Sequence, residues 1–269
     1  MLRTAAFALG LLAAVPALAD ARLTVLVDAL KIGEVAQIMR DEGHDYAAEL
    51  ESSMLDGQGG DFWAAQIDQL YDAGRISEAI RTALDQGLEE DELDAAVAFF
   101  ASERGDRIVT LENAARIAMG DPAIEAAITE EYEALRAAPD ALIDRIDAFI
   151  AANDLTERNV TASMDASYRF LVGLVEGGMV DMSEDEIVDD VWSDEESIRE
   201  ETETWIHGFA LLAYQPLPTE DMEAYLAFSR TAAGQALNTA LFDGFGAVYS
   251  DLSYALGRLV ALSASTSEL

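Results

Sequence analysis

The side chains that could do chemistry are unevenly supplied. There is no cysteine, so the chain has no thiolate nucleophile and no thiolate metal ligand. His44 and His207 are the two histidines, and their separation excludes a ligand pair at helical spacing. Serine catalysis needs a base held against the hydroxyl, and no Gly-x-Ser-x-Gly elbow is present. His207 follows Trp205 and Ile206 on an apolar stretch and reads as a core or boundary residue. Carboxylates crowd Ser183–Asp190 and Ser193–Glu203. Pairs of them could perform acid–base hydrolysis or hold a cation. No Asp-x-Asp-x-Asp-Gly loop with a closing glutamate occurs, and carboxylates spaced around a helix diverge, so these clusters read as solvated faces. Gly57-Gln58-Gly59-Gly60 lacks the lysine of a phosphate-binding loop and reads as a connector. No catalytic, cofactor-binding or metal-ligating residue is assigned.

Charge narrows the partners. The 269 residues include 52 acidic and 16 basic side chains, for a formal net charge of −36, and Lys31 is the one lysine. Such a chain repels phosphate backbones, so nucleic acid is excluded, and it repels anionic lipid surfaces. Apolar residues make up 51% of the chain, enough for a sizeable core.

The N-terminus reads as an address. Met-Leu-Arg is followed by an uncharged run from Thr4 to Val15 and then Pro16-Ala17-Leu18-Ala19. That order fits a signal peptide cut after Ala19, with Asp20 as the new N-terminus. The expected location is the periplasm of a Gram-negative bacterium. No later segment reads as a span. Ile206–Thr219 is short and contains Pro216 and Pro218, and Thr239–Leu262 carries Asp243, Asp251 and Arg258.

The elements are helices. Apolar residues recur at helical spacing, as in Ile67, Leu70 and Tyr71, then Ile76, Ile80, Ala83 and Leu84. Ser183-x-x-Glu186 and Ser193-x-x-Glu196 fit the capping box. Asp121-Pro122 and Pro139-Asp140 mark further starts, and Thr219 with Glu220 and Asp221 marks another. Leu23–Val27 has some strand character, but helical period resumes from Ala29. The expected fold is all-α, with about ten to twelve helices at usual lengths.

An internal repeat emerges at an offset of 129, without gaps from Trp63 to Gly105. Trp63 meets Trp192, Phe99 meets Phe228, Ser102 meets Thr231 and Gly105 meets Gly234. Each copy opens a helix with acidic residues, interrupts it at Ser102 or Thr231, and places a glycine in the first turn of the next helix. The hydroxyl can cap that helix, and the glycine permits a close approach. The two tryptophans are expected to anchor equivalent cores or to line equivalent grooves. Phe99 and Phe228 are expected to be buried. These eight residues are the repeat motif and the candidate groove residues. The stripe Leu237, Leu241, Phe245, Val248, Leu252, Leu256, Leu259 and Val260 reads as a central core helix.

The motif running from Glu92-Leu93 through Ala98-Phe99-Phe100-Ala101-Ser102 to Gly105 resembles the bacterial family called domain of unknown function 2059. Its members usually show Phe-Tyr-x-Ser-Pro-x-Gly-Gln at this point. Here Glu103 and Ala232 stand in place of the proline, while the second copy keeps Gly234-Gln235. The resemblance implies a small helical domain behind a secretion signal, and it implies no activity and no catalytic residue.

Two similar helical-hairpin bundle halves, produced by duplication, are therefore expected. Residues 1–19 are the signal, 20–153 the first repeat with a connecting helix, and 154–269 the second repeat. The expected function is non-enzymatic: binding of an envelope protein or a small apolar ligand, without a cofactor. The alternatives are a hydrolytic enzyme working through carboxylates and an acidic cation-binding protein.

Overall fold

The computed structural model describes residues 14–267, and its helices account for nearly all of them. The charged start and most of the apolar run of the expected signal lie outside the described residues. Thirteen helices follow one another, with no strand among the described residues. In the first part these are α1 (Ala14–Ala29), α2 (Ile32–Met54), α3 (Gly60–Leu70), α4 (Ala73–Gly87), α5 (Glu90–Phe100) and α6 (Glu103–Met119). Helix α7 (Pro122–Arg136) leads to α8 (Ala141–Asn153), α9 (Leu155–Glu176), α10 (Glu184–Ser193), α11 (Glu195–Tyr214), α12 (Thr219–Ser229) and α13 (Ala232–Ser267).

Local chemistry explains most boundaries. Asp140 accepts from the amides of Leu142 and Ile143 and opens α8, and Asp121 caps α7 ahead of Pro122. Ser183 and Glu186 form the expected capping box of α10. Ser193 differs from expectation. It closes α10, where its hydroxyl donates to the Asp190 carbonyl at 2.7 Å, and Asp194 precedes α11 instead. Thr219 is the first residue of α12, not its cap, because the Pro218 carbonyl accepts the opening amides of Asp221 and Met222. Leu23–Val27 is helical.

Thirteen helices exceed the expected ten to twelve, and two of the junctions turn through a non-glycine residue with positive φ. Lys31 between α1 and α2 has φ 51°, and Asp154 between α8 and α9 has φ 53°. A single left-handed residue bends the chain there, and nothing in the hydrophobic pattern announces it.

The packing runs in matched pairs. Helix α1 packs on α5, and α8 on α12; α2 lies along α4, and α9 along α11. The terminal member of each series then crosses over: α13 lies along α4, and α6 along α11. One core cluster therefore joins α1–α5 to α13, and the other joins α6, α7, α8, α11 and α12. Helices α9 and α13 approach most closely where Gly173 faces Tyr254 and Gly257 faces Phe170, positions at which a Cβ would overlap the opposing backbone. The apolar stripe of α13 is core, as read. Leu237, Leu252, Leu256, Leu259 and Val260 are all buried.

The pairing of Trp63 with Trp192 does not hold. Trp63 is 3% exposed in α3, whereas Trp192 is 65% exposed near the end of α10. Counted from each helix start, Trp63 and Ile67 correspond to Ile187 and Val191, and all four are buried. The register slips because α11 has 20 residues and α4 has 15, so a single offset cannot serve both sides of that helix.

Candidate functional site

The two corners predicted from sequence are built alike. The Ser102 hydroxyl donates to the Phe99 carbonyl at 2.6 Å and accepts from the Gly105 amide at 3.2 Å. The Thr231 hydroxyl donates to the Phe228 carbonyl at 2.7 Å and accepts from the Gly234 amide at 3.0 Å. A Cβ on Gly105 would overlap the Phe100 backbone, and one on Gly234 would overlap the Phe228 backbone. The corners are thus fixed by close contact and by a hydroxyl that acts in both directions. Phe99 and Phe228 are half-buried, short of the full burial expected, and stack on each other. Phe100 is the ring that enters the core, at 3% exposure.

These corners border a cavity of about 260 Å³ at the junction of the two clusters. Its wall is aromatic and aliphatic in equal part, with a cluster of touching rings on one side. Phe149 meets Tyr225 with centroids 4.7 Å apart and Tyr214 at 5.3 Å, while Phe100 meets Phe228 at 5.5 Å. Ser229 and Gly234 of the second corner reach the same cavity, but Trp63 and Trp192 do not.

One carboxylate enters this wall. Glu112 comes from α6 and accepts from the Tyr214 hydroxyl at 2.7 Å, and Tyr225 reaches the same carboxylate from α12. Burial pushes the Glu112 carboxyl up to about 7, and the two tyrosine hydrogen bonds offset only part of that effect. Burial also holds the hydroxyls of Tyr214 and Tyr225 in the protonated, donating form. Among the described residues lining the cavity, Glu112 is the one charged group. Asn113, Asn153 and Asn238 add amides, and the Asn238 amide donates to the Asn153 carbonyl at 2.9 Å.

A neighbouring surface groove of about 630 Å³ shares Leu155, Phe209, Asn238, Leu241 and Phe245 with the cavity as a common wall. Trp205 and Phe209 stack along that groove at 5.2 Å and 7°. Arg116 stands on its rim, held by Glu42 at 2.7 Å and by the Tyr249 hydroxyl at 2.7 Å.

Sequence reasoning missed Glu112, Tyr214 and Tyr225. One glutamate among 52 acidic residues carries no signal by count. The usable signal was its position: Ile108, Glu112, Ala115 and Met119 follow the buried face of α6 at helical spacing.

His207 lies elsewhere. Its Nδ1 bonds the Glu203 carbonyl at 2.6 Å, its Nε2 is 3.5 Å from Asp147, and its ring packs on Tyr132 at 4.7 Å. It is tied into its own helix and faces an acidic surface pocket. Among the described residues, no three His, Asp or Glu side chains converge to hold a metal, and no helix is long and apolar enough to cross a membrane.

The segment carrying the first corner and Glu112 is also the one that matches a family model. Residues 74–130 match the family described as an uncharacterized protein conserved in bacteria (DUF2059). The DUF2059 match begins in α4 and ends within α7, so it contains α5, the Ser102 corner and α6. The Thr231 corner, Tyr214 and Tyr225 lie outside the DUF2059 segment. No curated protein and no solved structure matches the chain.

Proposed function

We propose that this is a periplasmic, non-enzymatic binding protein that encloses a small, mostly apolar ligand between two helical halves related by duplication. The cavity carries the reading: a wall of aromatic and aliphatic side chains, a few converging polar groups, and a neighbouring groove with which it shares five residues. An engineered cavity of about 150 Å³ holds benzene. At about 260 Å³, this cavity has room for a ring with a small head group. A hydrolase working through paired carboxylates would need a second carboxyl facing Glu112, and the described lining presents none.

Secretion is supported by the N-terminal sequence pattern: a charged start, an uncharged run from Thr4 to Val15, and Pro16-Ala17-Leu18-Ala19 before the proposed cut. Duplication is supported by the matched packing pairs, the two left-handed junctions and the two equivalent corners.

The test is native mass spectrometry of protein isolated from its own cells, beside a Leu241→Trp variant that adds bulk at a residue lining both cavity and groove. A small-molecule adduct on the wild type that the variant lacks is the expected result. Bare wild type, with no uptake of single-ring probes after refolding, would overturn the reading.

A further inference from the structure

The cavity has an unusual imbalance. Its one carboxylate is met by hydroxyl donors and no cation. The charged residues on and around α6 are already engaged: Lys31 with Asp106, Arg116 with Glu42, and Arg104 and Arg107 with Asp221. Glu34 accepts from Asn113 at 3.4 Å. From α11 and α12 the groups facing Glu112 are Tyr214 and Tyr225, and the other described lining residues carry no titratable side chain. A carboxylate so placed holds its charge at a cost that a ligand cation would remove.

The wall around it suits such a ligand. Phe100, Phe149, Tyr214, Tyr225 and Phe228 form a continuous chain of ring contacts beside Glu112. Aromatic faces attract cations through the ring quadrupole, most strongly when water is excluded. The chain's net charge of −36 draws cations toward the protein and repels anions.

We infer that the cavity binds a monovalent organic ammonium ion, with a ring or a short apolar body, whose nitrogen lies against Glu112 inside the aromatic wall. This rests on the cavity being a ligand site, as proposed above, and adds the charge of the ligand. Proton and ligand then compete for Glu112. With the free carboxyl titrating at about 7, cation affinity rises about tenfold between pH 6 and pH 8.

The probes are benzyltrimethylammonium and its uncharged isostere neopentylbenzene, compared by equilibrium dialysis against the full chain at pH 6 and pH 8. The charge of the first is permanent, so its own titration does not enter. The expected result is binding of the cation at least tenfold tighter than of the hydrocarbon at pH 8, with the tenfold loss at pH 6. Glu112→Gln should erase both effects while leaving hydrocarbon binding intact. If that variant fails to fold, the wild-type pH series decides alone. Hydrocarbon binding equal to or tighter than the cation at both pH values would overturn the ammonium assignment and leave the ligand cavity standing. Binding of neither probe at millimolar concentration would overturn both.

Discussion

The rings of Phe99 and Phe228 stack with centroids 4.5 Å apart and planes 19° from parallel. Each precedes its corner hydroxyl by three residues, and each lends that hydroxyl its carbonyl. A residue meeting its own counterpart is what the axis of a two-fold dimer produces. Here the contact is made within one chain, at the border of both core clusters.

Truncating either ring should therefore cost more than its own burial. Phe99→Ala and Phe228→Ala are each expected to destabilise by about 2–3 kcal/mol. A double-mutant cycle in urea should give a coupling of about 1 kcal/mol. Additive effects would show that the stack is geometry without energy.

The corner glycines make a sharper contrast. Gly105→Ala and Gly234→Ala push a methyl into opposing backbone, which no rotamer change can relieve. Losses above about 2 kcal/mol are expected, measured by thermal or urea unfolding. Gly246 lies within α13 and a Cβ there would meet nothing within 4 Å. Gly246→Ala should be neutral or stabilising by up to about 1 kcal/mol.

Trp63→Ala should cost about 3–5 kcal/mol, because the ring is 3% exposed. Trp192→Ala should stay within about 0.5 kcal/mol, because that ring is 65% exposed. Equal losses would restore the correspondence that the helix register denies.

Glu112 makes stability depend on pH in a definite direction. Its folded value of about 7 lies above the ordinary 4.5, so the protonated form is favoured on folding. That contribution is complete below pH 4.5 and fades as pH rises through about 7. Its full size is on the order of 3 kcal/mol. Glu112→Gln should remove this fall, so the wild type should lose ground to the variant between pH 5 and pH 8 in denaturant titrations. Parallel curves would mean the carboxyl is not enclosed.

Asp221 runs the opposite way. Hydrogen bonds from Arg104 at 2.8 Å and Arg107 at 2.9 Å hold its carboxyl below the usual 3.8. Its contribution is present above 3.8 and is lost as pH falls through the depressed value. Asp221→Asn should destabilise by about 1–2 kcal/mol at pH 7 and reduce the acid sensitivity below pH 4. Both arginines are nearly half exposed, so water limits the loss.

The helices and corners were legible because their signals are local. Asp140, Ser183, Ser102 and Thr231 act on amides two or three residues away. The left-handed turn at Lys31 was not legible, since its side chain does not reveal a positive φ. The cavity was invisible for a different reason. Glu112, Tyr214 and Phe149 come from three helices separated by long stretches of chain, and only packing brings them together. The Trp63–Trp192 alignment failed because sequence matching preserves spacing, while a longer α11 changes it.

The crossing of α6 and α13 also sets an order of events in time. Helix α4 takes a main partner from a helix far along the chain, so the first core closes only when Ala232–Ser267 has docked. Folding becomes a single late event instead of two successive ones, and slow, because the decisive contacts are remote in sequence. Until then the chain stays open, with the leucines and isoleucines of α4 exposed to chaperones and proteases alike.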